Sequence, residues 1–201
     1  MSDLTDFDEK FFRDHDVIAG LDEAGRGALA GPVFVGCVAS TGVTALDDDL
    51  ERVNDSKQLS KANRKTLFRY LTSSPQIEIG IGQADNYKID DVGINQATSL
   101  AAARALASLG SNPDMLLLDQ GLSLPGEIEV RSLEKGDERS FHVAAASVLA
   151  KVGRDRYMWL KSNYFPDYGW GSNVGYGTKA HRKALEKKGP SPLHRRSYSV
   201  G

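Results

Sequence analysis

Apolar residues recur along this chain in short blocks broken by glycine. VIAGL (Val17 to Leu21) and PVFVGCVA (Pro32 to Ala39) are rich in β-branched residues and predict two strands joined by a glycine-rich turn. After NDSKQLS the pattern predicts a helix over about 60–71 with Ser60 as its N-cap, and the alternating QIEIGIG a third strand. From about Ile94, the residues Ala97, Ala101, Ala105 and Leu109 fall on one face of an alanine-rich helix that Gly110 ends. DMLLLDQG reads as a buried strand carrying Asp119 at its C-terminal end, and EIEVRS as another strand. Beyond it, Val143, Ala146, Ala150, Gly153, Tyr157 and Leu160 repeat at alternating spacings of three and four, which predicts a long helix; a last helix is expected over about 179–188. No repeat, low-complexity tract or linker interrupts the pattern. One α/β domain over 1–201 is expected, with 141–201 a mostly helical C-terminal segment.

The turn between the first two strands, GLDEAGRGALAG (Gly20 to Gly31), sets the chemical question. A glycine-rich turn after a strand offers backbone N–H groups to a phosphate, yet Asp22 and Glu23 would repel that anion unless a cation stood between them. A dinucleotide fingerprint is excluded by context, because such a motif opens a helix and here Pro32 leads into another strand. Asp119 and Asp137, the latter in EKGDERS before the long helix, complete a set of acids at or beyond strand ends. If they converge, their mutual repulsion requires protons or cations, and hard oxygen ligands without histidine or cysteine favour Mg²⁺ or Mn²⁺ over Zn²⁺. Asp155 lies one turn after Lys151 on a helix, where an ion pair accounts for it, and it is left out of the site.

Composition sharpens this in two respects. The net charge is −2, but from Arg131 onward there are 14 Lys and Arg against 6 Asp and Glu, while the first 130 residues hold 11 against 21. The basic C-terminal third fits a nucleic-acid partner or simply a solvated helical surface. The single cysteine, Cys37, excludes an internal disulfide and fits a reducing compartment. The acidic start MSDLTDFDEKFFRDHD and the lack of any long apolar run point to a cytoplasmic protein, neither secreted nor membrane-spanning.

GLDEAGRG, NDSKQLS, LLLDQG, the KGD that leads into AAASVLAKVGRDRYM, GYGTKAH and HRRSY together resemble the ribonuclease HII family, in the family's order from about Val17 to Tyr198. The resemblance implies a ribonuclease H-like fold: a central mixed five-stranded sheet flanked by helices, with a C-terminal helical segment. It implies hydrolysis of the RNA phosphodiester in RNA/DNA hybrids and at ribonucleotides embedded in DNA, leaving a 3′-hydroxyl and a 5′-phosphate. The family's four metal-site acids carry over onto Asp22, Glu23, Asp119 and Asp137, where two divalent cations would activate water and stabilise the leaving oxygen. Gly25, Arg26 and Gly27 are placed to touch a ribose 2′-hydroxyl, or they make only a tight turn. Tyr176 resembles the family's tyrosine that stacks on a sugar, and an aromatic between glycines is equally a loop anchor. Lys57 and a basic helix carrying Lys179, His181, Arg182 and Lys183 are expected on phosphates, with His194, Arg195 and Arg196 extending that surface. A monomer is expected.

Overall fold

The computed structural model describes residues 3–43, 53, 61–124 and 126–198. NDSKQLS, with Lys57 and the expected cap Ser60, lies outside them. The elements are α1 (Asp3–Glu9), β1 (Ile18–Ala24), β2 (Val33–Ser40), α2 (Lys61–Ser73), β3 (Glu78–Ala84), α3 (Asn86–Leu106), β4 (Met115–Asp119), β5 (Glu129–Leu133), α4 (Phe141–Ser162), the short α5 (Trp170–Asn173) and α6 (Lys179–Lys188). The strands form one mixed sheet in the order β3-β2-β1-β4-β5, antiparallel from β3 to β1 and parallel from β1 to β5.

Two differences from the sequence pattern matter. β1 runs on to Ala24, so Asp22 and Glu23 are strand residues, paired with Gly36 and Val35 of β2, rather than the start of the turn. The alanine-rich helix begins at Asn86, where Asp85 caps it by accepting from Lys88 N at 2.8 Å, and ends at Leu106. Gly93, at φ 80° and ψ 160°, breaks its periodicity, which is why only the half from Ile94 is legible as helix.

α3 and α4 cover opposite faces of the sheet, and glycines let both approach closely. A Cβ on Gly20 or Gly36 would strike the backbone of α4, and one on Gly80 or Gly82 the backbone of α3 at Ala105 or Ala101. Side chains alternate across a strand. Ala19 and Leu21 accordingly pack with Ala97, Ala101 and Ala105, while Ile18 packs with Met115, Leu117 and Val143 on the α4 side.

The acidic N-terminal stretch supplies a strut. Asp8 is fully buried and its Oδ2 accepts from Ser140 Oγ (3.1 Å), His142 N (3.0 Å) and His142 Nδ1 (2.7 Å), while His142 Nε2 lies 2.9 Å from Ser40 Oγ. Ser40, His142 and Asp8 have the residue types of a hydrolytic triad. All three are buried, so the string ties α1 to the start of α4 and to the end of β2. Removing one partner of a buried pair strands the other. Asp8→Ala is expected to cost about 3–5 kcal/mol in urea unfolding at neutral pH, and a loss below about 1 kcal/mol would show that the strut contributes little.

Candidate active site

The parallel pairing of β1 with β4 runs from Ile18 opposite Met115 to Leu21 opposite Leu118, so Asp22 and Asp119 are the next residues on neighbouring strands. Both fall on the α4 face by alternation, and Glu23 falls on the α3 face. Asp137 arrives from outside the sheet. After β5 the chain turns through Lys135 in the left-handed region (φ 51°) into a 3-10 turn, Gly136–Glu138, and Gly136 N donates to Asp119 Oδ1 at 2.7 Å. That bond fixes the Asp137 turn to the strand that bears Asp119, and Asp137 is close enough to act on the charge of Asp22.

Burial raises the Asp22 carboxyl well above the ordinary carboxylate range, and the charges of Glu23 and Asp119, with Asp137 behind them, push the same way against one bond from Glu23 N–H. Glu23 is also raised by burial; Arg26, 3.7 Å away, opposes the shift, and Asp119 adds to it. The buried Glu23 Oε2 has no hydrogen-bond partner. Among the described residues no three acidic, histidine or cysteine side chains are drawn together as a ready cage for one ion. The donor set nevertheless fits a hard divalent cation: it is all carboxylate oxygen, it contains an orphaned buried oxygen, and its charges repel one another.

A cleft of about 430 Å³ opens over Asp22 and Glu23, lined by these two acids, Gly25, Arg26, Gly27 and Tyr176, together with Arg64 of α2 and Ser147 and Lys151 of α4; Asp119 and Asp137 lie beside it, outside the lining. Gly25 has φ 97°, and a Cβ there would run into the Arg154 side chain, so it is confined to glycine. Gly27 is different: it lies outside the left-handed region and a Cβ would meet open space. Arg26 donates to Asn95 Oδ1 (2.6 Å) and Gly121 O (3.2 Å), which ties the turn to α3 and to the segment after β4. Tyr176 lines the cleft. Its ring faces the cleft, with the Arg154 guanidinium 5.2 Å and Lys151 Nζ 5.9 Å from the ring centre, while a Cβ on its flanking Gly175 or Gly177 would strike Ala30 or Leu29.

Part of the expected phosphate-binding surface is instead interior. Arg195 is buried and donates to Gly25 O (2.7 Å), Arg26 O (2.7 Å) and Gly31 O (3.0 Å), which clamps the glycine turn; burial lowers its pKa to about 10. His181 and His194 are buried with their Nε2 atoms 3.0 Å apart. His181 Nε2 also accepts from Trp170 Nε1, and its Nδ1 lies 2.9 Å from Tyr176 O, so this pair holds the tyrosine loop. Burial lowers both imidazoles, His194 to about 4, and both are neutral at pH 7. Arg196 meets Asp90 through its backbone N–H at 2.9 Å. Lys179 and Lys183 are exposed on α6, whose Arg182 donates to Gly177 O at 3.1 Å; the three lie outside the cleft lining, on the helix that follows the tyrosine loop. Asp155 pairs with Lys151 at 2.7 Å, as expected.

Sequence reasoning misses Arg154, which donates to Ala30 O (3.2 Å), Pro32 O (3.1 Å) and Val174 O (2.9 Å) and locks the far end of the turn to the tyrosine loop. The available signal is its position four residues after Ala150, a cation on the buried side of a helix.

Carboxylates on neighbouring parallel strands, beside a clamped glycine turn and a cation-lined cleft, fit a phosphodiester-cleaving enzyme of the ribonuclease H kind. The sequence model of Ribonuclease HII matches residues 19–200. The chain is 45% identical over 183 residues to the ribonuclease HII of Chlamydia muridarum, covering 90% of this chain and 82% of that protein. The ribonuclease H2 of Pyrococcus horikoshii superposes with a TM-score of 0.74 at 26% identity, covering 92% of this chain and 94% of that one. Bst-RNase HIII in complex with Mn²⁺ shares the fold at 18% identity, with a TM-score of 0.68 over 92% of this chain and 67% of that one. The chain belongs to the ribonuclease HII family. Among the described residues no helix is long and apolar enough to cross a membrane.

The raised Asp22 fixes a sign. Native Asp22 holds its proton at pH values where the unfolded chain has lost it, so stability of the metal-free protein falls as pH rises through that window. Asp22→Asn removes the penalty, and without divalent ions at neutral pH it is expected to raise the Tm by about 2–4 °C, the equivalent of roughly 1 kcal/mol for a chain of this size. The difference should shrink on acidification; a variant that melts lower than the parent at neutral pH would contradict the repulsion.

Proposed function

We propose that this chain is a divalent-metal-dependent endoribonuclease that hydrolyses the RNA phosphodiester in RNA/DNA hybrids and at ribonucleotides embedded in duplex DNA, leaving a 3′-hydroxyl and a 5′-phosphate. The observation that carries this reading is the pair Asp22 and Glu23, raised by burial and by neighbouring acid charge and with an orphaned Glu23 oxygen, in one cleft with a glycine turn. Asp22, Glu23, Asp119 and Asp137 would hold Mg²⁺ or Mn²⁺. Such ions lower the pKa of an attacking water and neutralise the phosphodiester charge. The chain's own contribution is positioning. Arg195 and Arg154 hold the carbonyls of the turn inward, so its glycines are presented at a fixed distance from the acids. The Gly25–Gly27 backbone then approaches the sugar, where contact with a 2′-hydroxyl separates RNA from DNA, and Tyr176 supplies a face for the neighbouring sugar. Lys179, Arg182 and Lys183 extend the phosphate contacts along the duplex, with Lys57 assigned to the same task. The reading takes residues 1–201 as one catalytic domain, monomeric and cytoplasmic.

Asp119→Asn is expected to lower cleavage by at least about 10²-fold while the fold persists, measured on a hybrid and on a duplex with one ribonucleotide. An all-DNA duplex cut equally well would favour another two-metal nuclease on the same fold.

Gly27→Ala tests the sensor without a folding penalty, because its methyl group meets open space. An unchanged Tm with a loss of about tenfold or more in ribonucleotide cleavage is expected, about 1.4 kcal/mol of transition-state stabilisation. An unchanged rate would reduce the turn to a structural role. Removing Lys179, Arg182 and Lys183 should flatten the salt dependence of duplex binding by about one unit for each phosphate that is no longer neutralised, and an unaltered slope would remove them from the interface.

A further inference from the structure

The catalytic cleft does not end at Lys151. Arg64 of α2 lines it and also lines a second groove of about 410 Å³ that runs outward between α2 and α4. Lys65 and Arg69 from α2 and Arg156 from α4 bring the lining to four cations. The one acid among the lining residues, Asp155, is matched by Lys151 at 2.7 Å. Between the cations the groove is apolar, with Phe68 and Val152 partly buried and Trp159 at its outer end 54% exposed. α4 is anchored on the sheet by Val143, Ala146 and Leu149, and the described residues leave about half of the Trp159 surface open. An exposed indole at the end of a cation-lined track is the arrangement that holds single strands, with phosphates on the cations and a base on the ring.

We propose that this groove takes an unpaired nucleic-acid strand leaving the duplex at the catalytic cleft, with phosphates against Lys65, Arg69 and Arg156 and a base stacked on Trp159. The proposal rests on the nuclease reading of the cleft and adds a preference to it: a substrate whose duplex ends close to the cut. From Lys151 to Trp159 the helix advances about 12 Å, room for about three or four stacked nucleotides at 3.4 Å each. Continuity with the cleft through Arg64 and the sign of the lining both favour a strand of the substrate over a peptide. An acidic peptide would satisfy the cations, but nothing would lead it toward the acids of the cleft.

The chain provides its own reporter. It has two tryptophans, and the second, Trp170, is wholly buried. A short deoxythymidine oligonucleotide should therefore quench the fluorescence of Trp159 in the intact protein, and the quench should disappear in Trp159→Phe. A hybrid carrying an unpaired extension on the groove side should bind at least about fivefold tighter than its blunt counterpart, the lower end expected for one stacked base. Trp159→Ala should abolish that gain while blunt-hybrid binding and cleavage persist. Arg156→Glu should weaken the extended form alone. Equal binding of blunt and extended hybrids, or an Arg156→Glu defect shared by both, would overturn the proposal, the latter assigning the groove to duplex. Failure of the parent to cleave the blunt hybrid would count against the nuclease reading instead, and the fluorescence titration, which needs no cleavage, would still decide the groove.

Discussion

The parallel pairing of β1 with β4 is the constraint on which the site depends. Leu21 opposite Leu118 makes Asp22 and Asp119 the next residues on adjacent strands, both on the face covered by α4. A slip of one residue would send one of them to the other face and separate the carboxylates. The pairing is held by apolar burial on both faces, with Ile18, Leu21, Leu116, Leu117 and Leu118 each at most 1% exposed. Hydrophobic burial, which favours folding, thereby enforces a charge cluster that opposes it.

The second constraint is the clamp on the glycine turn. Arg154 and Arg195 are buried cations with neutral partners: each is satisfied by three backbone carbonyls from the turn and the loops against it. Their charge is unneutralised by any direct ion pair among the described residues, and the guanidinium fork suits an array of carbonyls as it suits carboxylates. The C-terminal segment thus serves the site in two ways. Its buried Arg195, His181 and His194 fix the turn and the Tyr176 loop, and its exposed lysines are left to face solvent or substrate.

What the sequence discloses follows from the range of each signal. Strand identity, the alanine face of α3, the stripe of α4 and the extent of α6 are local and legible. So is the pair Asp22 and Glu23, because carboxylates beside glycines after an apolar strand need a local explanation; Asp137, in EKGDERS, carries no such signal. Long-range partners are not legible. Asp8 meets Ser140 and His142 across more than 130 residues, and nothing in MSDLTDFDEK distinguishes it from the solvated Asp3 or Asp6. Arg195 resembles a surface cation in sequence because HRRSY carries no periodicity to mark an inward side chain. That Asp22 and Glu23 are strand residues is hidden because the apolar run stops at Leu21, three residues short of the strand's end at Ala24.

The central claim is that the fold assembles mutually repelling acids which a divalent cation then relieves. The most direct measurement is the Tm of the catalytically idle protein, without nucleic acid, as Mn²⁺ is added, for the parent and for Asp22→Asn. Binding to the native state alone raises stability with ligand concentration. The parent Tm should climb with Mn²⁺, while the variant starts higher and stays nearly flat. A parent that does not respond, or a variant that responds equally, would contradict the account.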